Sequence, residues 1–180
     1  METSMKFRMI IAVCVISAFL PSCYFPIAGR VIDAETKQPI EGAVVLVEWV
    51  KKHGLWDPWP ESYKVIEVVS DKSGKVKLGG CYTPFVEPPK ITIYKKGYVG
   101  WNSHMIFPDQ VRTNFTWVSF TAELELFKPE YSYIDHSTFI ARAINAALNS
   151  ENKQTMKKAY RWEELEASKE RDAIERKWSK

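Results

Sequence analysis

"IAGRVIDAETKQPIEGAVVLV" occupies residues 27–47, and its reading decides the fold. Ile27 to Asp33 alternates with the two-residue period of a strand, and Gly29 within it leaves room for a close neighbour. The polar run that follows is a turn in which Pro39 restricts the backbone and Gly42 releases it. A β-branched run comes next, with Ala43, Val45, Val47 and Trp49 on one face. The other face holds Val44, Leu46 and Val50 but also Glu48, which predicts a face only partly covered.

The same punctuation continues outward to about Pro129. "YKVIEVVS" and "KVKL" flank the turn "DKSG", where Asp71 can accept hydrogen bonds from its own turn and Gly74 can take positive φ. "KITIYKKGY" and "FTWVSFTAELELF" add further strands, the last alternating Ala122, Leu124 and Leu126 against Glu123 and Glu125. The expectation is a mainly β domain over 26–129. Beyond Pro129 the period becomes helical, through Ile140, Ile144 and Leu148, with Asp135 or Ser137 as the cap. A second helix over 151–178 is mostly charged. Its broken stripe of Met156, Tyr160, Leu165, Ile174 and Trp178 predicts weak docking or none.

Gly29, Val31, Asp33, Thr36, Pro39, Ile40, Gly42, Ala43 and Val45 resemble the opening signature of carboxypeptidase regulatory-like domains. "VVSDKSGKVKL" and "ITIYKKGYVG" are similar to later parts of that pattern, so the resemblance covers about residues 26–128. It implies a transthyretin-like, Ig-like sandwich of two antiparallel sheets with seven strands, used for adhesion, scaffolding or partner docking without catalysis. Within that span the sequence departs from the pattern in the longer aromatic segment "KKHGLWDPWPESY" and adds residues 101–114, and the helical region 130–180 follows beyond it.

At the other end, Lys6 and Arg8 precede an apolar run from Met9 to Leu20, too short to cross a hydrocarbon core that needs about 20 residues. Leu20-Pro21-Ser22-Cys23 resembles the lipobox of bacterial lipoproteins. The resemblance implies a signal peptide over 1–22, acyl chains (palmitate among them) on Cys23, and a linker of residues 23–25 holding the domain at a bilayer. An ordinary signal peptide, with Cys23 left as a thiol, is the alternative. Because Tyr24 rather than Asp follows the cysteine, the expected location is the bacterial cell envelope, at the outer membrane where the host has one. Three cysteines in all leave Cys81 unpaired once Cys14 departs and Cys23 is acylated, so no disulfide framework is expected.

The net charge is +3, and losing Glu2, Lys6 and Arg8 with the signal leaves +2, with no basic stripe for nucleic acid. His53, Asp57 and Glu61 are spaced by four, but Pro58 and Pro60 forbid the helix that would align them as metal ligands. His104 near Asp109, and His136 after Asp135, form no cluster that names a reaction. Intradiol dioxygenases share the sandwich and hold iron with Tyr and His, yet no spacing here resembles theirs. The expectation is therefore no catalytic residue, no metal, no cofactor, and a protein-interaction or scaffolding role. A glycan or cell-wall binding module using Trp56, Trp59 and Tyr63 of the 53–63 segment is the second reading. In the competing account those rings fold back over the sandwich's own open end. A metal-dependent enzyme is third.

Overall fold

The computed structural model describes residues 27–51, 61–80, 86–116, 119–144 and 154–179. The strands are β1 (Ile27–Asp33), β2 (Val44–Lys51), β3 (Glu61–Val69), β4 (Lys75–Leu78), β5 (Lys90–Tyr94), β6 (Trp101–Asn102), β7 (Met105–Ile106), β8 (Gln110–Val111) and β9 (Ser119–Leu124). Two helices follow, α1 (Tyr133–Ile144) and α2 (Gln154–Trp178). One sheet has the order β4-β1-β9, the second β3-β2-β5-β6, and β7 with β8 forms a separate hairpin. The protein is thus a mainly β sandwich with two C-terminal helices. Its pairings are antiparallel except that of β1 with β9, which is parallel, Ala28 facing Ser119 and Asp33 facing Leu124. No described helix is long and apolar enough to cross a membrane.

The opening stretch behaves as its residue types require. A Cβ on Gly29 would lie 2.2 Å from Cζ of Phe120, so the glycine admits the ring that closes this end of the core. Asp33 Oδ1 accepts from the backbone N–H groups of Glu35 and Thr36 at 2.9 and 2.8 Å, which turns the chain after β1. Asp71 does the same before β4, accepting from Ser73 N and Lys75 N, while Gly74 takes φ +72. Between the sheets Val31, Val45, Val47, Trp49, Ile91, Ile93, Phe120 and Leu124 form the inner core.

Two expectations fail on the other side of β2. Its outer face is not partly covered: Val44, Leu46, Glu48 and Val50 are all buried. Nor is α2 weakly docked, because its first half packs Met156 and Tyr160 into a second core with Val44, Leu46, Tyr94, Phe139, Ile140 and Ile144, and buries Glu163 and Ala167 as well. Burying a large apolar side chain contributes about 1.5–3 kcal/mol, against a few tenths for a surface i,i+4 ion pair, so packing and not charge pairing holds this helix. Of the predicted stripe, Met156 and Tyr160 are buried, and the part beyond them is not. Leu165, Ile174 and Trp178 are exposed, and the helix from Arg171 onward stands in solvent.

The caps also differ from expectation. Glu170 Oε2 accepts from Tyr133 N and Ile134 N at 2.7 and 3.3 Å, with Ser132 Oγ accepting from Asp135 N, so neither Asp135 nor Ser137 caps α1. Glu67 on β3 takes Thr155 N and Met156 N at 2.8 and 3.0 Å. A carboxylate from a distant element therefore sits at each helix N-terminus, where free N–H groups and the helix dipole favour negative charge.

Candidate functional site

The most concentrated group of titratable side chains lies between the helices and the second sheet. His136 Nε2 accepts from Gly100 N–H at 2.8 Å. That fixes the tautomer, since a ring nitrogen that accepts carries no proton, and Nδ1 faces Glu163 Oε1 at 2.5 Å as the donor. Tyr94 O–H donates to Glu163 Oε2 at 2.9 Å, and burial first, then the Glu163 charge, pushes the phenol far above its ordinary range. Phe107, Phe127 and Phe139 surround the imidazole, with ring centroids 5.2, 5.0 and 6.5 Å away. His136 is 0% and Glu163 1% exposed, so a Tyr–Glu–His arrangement that would resemble catalytic machinery in a cleft is sealed here. Its polar atoms are spent on one another. Leaving a buried partner unsatisfied costs about 1–3 kcal/mol, so the network fixes how the helices sit on the sheet.

Sequence reasoning named His136 but set it aside as part of no cluster, and it missed Glu163 and Tyr94. His136, Phe139, Ile140, Ala143 and Ile144 share one helical face, as do Met156, Tyr160, Glu163 and Ala167. The usable signal was one histidine or one carboxylate on each stripe of otherwise apolar, aromatic or small residues.

A second feature is an open cleft of about 500 Å³ on the flank of the sandwich, lined by Ala34, Glu35, Trp101, Arg112, Thr121, Glu123 and Glu125. Trp101 is wedged between Phe120, stacked at 6.0 Å, and the Arg112 guanidinium, 4.6 Å above the ring. Arg112 Nε donates to Asn102 O at 3.0 Å, and burial holds its pKa below the usual value. Glu123 pairs with Lys37 at 2.8 Å, and Glu125 pairs with Lys128.

Of the residues singled out from sequence, Cys23, Trp56, Trp59, His53, Asp57 and Cys81 lie outside the described residues. Tyr63 belongs to β3 rather than to a loop and is 47% exposed. His104 Nδ1 meets Ser103 Oγ at 2.8 Å, while Asp109 pairs with Arg142, so the two are not brought together. Among the described residues no three His, Cys, Asp or Glu side chains are grouped as metal ligands.

The fold and these two sites define an Ig-like sandwich carrying a fixed helical layer. No family model matches the chain, and no curated relative does. Among solved structures it is similar to a variant of the shaft pilin SpaA from Lactobacillus rhamnosus GG, at 17% identity and TM-score 0.33, over 58% of this chain and 47% of that one. A Streptococcal ancillary pilin is similar at 13% identity and TM-score 0.31, over 59% and 30%. Chlorocatechol 1,2-dioxygenase from Pseudomonas putida is similar at 14% identity and TM-score 0.32, over 61% and 63%. The chain thus spans about half the length of the shaft pilin or less of the ancillary one, and these partial overlays say nothing about chemistry.

Proposed function

We propose that the protein is a non-catalytic interaction module of the bacterial cell envelope, tethered by acyl chains on Cys23, with a sandwich of carboxypeptidase regulatory-like type. The observation that carries the non-catalytic part is the sealed network: His136, Glu163 and Tyr94 are consumed in fastening the helices, with no face left for a substrate. The tether is supported by the Leu20-Pro21-Ser22-Cys23 sequence. β1 begins at Ile27, so Tyr24, Phe25 and Pro26 bridge at most about 10 Å between the anchor and the sandwich. Two or more acyl chains give stable attachment where one is marginal. Intact mass of the protein purified from its native host is expected to show a chain starting at Cys23 with added acyl mass. An unmodified thiol, or another first residue, would remove the tether.

A glycan-binding reading keeps one observation in its favour, the half-exposed Tyr63 ring on the edge strand β3. Pull-down on cell-wall polysaccharide that is lost on Tyr63→Ala together with Trp56→Ala and Trp59→Ala would support it. Undiminished retention of the triple variant would end it.

A further inference from the structure

Among the described residues, the flank cleft runs along a strand edge with no partner strand. There β9 is the outer strand of its sheet, and its far side is closed from Glu125 onward, where Val99 N–H donates to Glu125 O at 2.8 Å and Phe127 N–H to Gly97 O at 2.9 Å. Ala34 N–H donates to Leu124 O at 2.9 Å. Leu124 therefore turns its backbone groups toward β1, and Ala122 and Phe120 do the same by the two-residue period. Thr121 and Glu123, which line the cleft, turn theirs outward. That is the template to which an extended peptide adds as another strand.

The charges along this edge are ordered. Lys37 neutralises Glu123 and Lys128 neutralises Glu125, so among the described residues Glu35 and Arg112 are the cleft's charged groups without an ion pair. Glu35 follows Ala34 at the Leu124 end, whereas Arg112 lies over Trp101 and hence at the Phe120 end. From Phe120 to Leu124 the strand rises about 13 Å, at about 3.3 Å per residue. An anionic and a cationic group thus stand roughly one tetrapeptide apart. With Nε held by Asn102 O and its face on Trp101, the Arg112 fork is pre-organised for a carboxylate.

We propose that this cleft binds a short zwitterionic peptide of about four residues, added antiparallel to β9, its terminal amine at Glu35 and its terminal carboxylate at Arg112. The cavity of about 500 Å³ is within the size of small-ligand sites, and antiparallel addition follows from which charge stands at which end. This goes beyond the envelope-module reading and stands on the geometry of the flank.

Calorimetric titration of the full-length protein in detergent with tetra-alanine tests it, using free, N-acetylated and C-amidated forms. The free peptide is expected to bind saturably and each blocked form about tenfold more weakly, the loss of one charge-assisted contact. Arg112→Gln should abolish the difference between acid and amide. Glu35→Gln, on an exposed turn where folding is not at stake, should abolish the difference between amine and acetyl. Equal affinity for free and blocked peptides, or no saturable heat with any of them, would overturn the proposal. The titration needs no membrane, so an unmodified Cys23 would leave its result standing, and a null titration would leave the tether standing.

Discussion

The two sheets present opposite outer faces. On the β4-β1-β9 sheet the outward residues Lys75, Lys77, Ala28, Arg30, Ser119, Thr121 and Glu123 are exposed, and the strands read as strict alternation, as in "KVKL" and "SFTAEL". On the β3-β2-β5-β6 sheet the helices cover the outer face, and "VVLVEWV" and "ITIY" are buried on both sides. The difference teaches that continuous apolar character in a strand signals a third layer, even where the segment that supplies it looks too charged to dock.

The comparison breaks most visibly at the network. Glu163→Ala leaves His136 and Tyr94 buried without their acceptor, and a loss of about 3–5 kcal/mol is expected in denaturant unfolding. Arg30→Ala on the bare face should change stability by no more than about 0.5 kcal/mol. Equal effects at the two positions would mean the helices are not part of the cooperative unit.

The inner core offers the next largest effect. Gly29→Ala forces a Cβ into the Phe120 ring and should destabilise by about 1–3 kcal/mol. Thermal unfolding of Gly29→Ala in a Phe120→Leu background should recover part of that loss, because the clash is with the ring.

A smaller effect is expected at the helix cap. Glu67→Gln weakens the acceptor at the start of α2 by about 1 kcal/mol, read as faster amide exchange over its first turn.

Acid and base act oppositely on the two sheets. Beside β1, the Thr36 N–H holds the Asp33 carboxyl below its ordinary value, and before β4 the Ser73 hydroxyl does the same for Asp71. Their contribution is present above the ordinary carboxylate range and is lost as pH falls through the lowered folded values. Burial raises Glu48 on β2, whose Oε1 has no hydrogen-bond partner among the described residues. The folded state then binds that proton more tightly, so stability declines as pH rises from the unfolded value through the raised one. Glu48→Gln should therefore raise the melting temperature at neutral pH and have little effect below pH about 4, the range where the unfolded carboxyl is itself protonated.

How much of this was legible in the sequence depended on the range of the interactions. The "DKSG" turn and the room at Gly29 were readable because Asp71 acts through its own chain neighbours and Gly29 through the mere absence of a side chain, while the turn after β1 was read from Pro39 and Gly42 without the Asp33 carboxylate that caps it. Parallel pairing of β9 with β1 was not readable, since it joins strands about ninety residues apart. The docked face of α2 was only partly legible because Glu163 is a charged residue by type, and only its contacts with His136 and Tyr94, far off in sequence, make it a core one. The cleft escaped notice for a similar reason: Glu35, Arg112 and Thr121 come from three separate stretches that only the fold brings together.

Hydrogen exchange resolved along α2 tests the central claim most directly, that the helical pair is a sealed layer of the sandwich and its buried acid–base residues are fasteners. Residues 156–167 should be protected to the level of β2, with protection falling away from Arg171 to Trp178. Rapid exchange throughout 156–167, matching the exposed end, would contradict it.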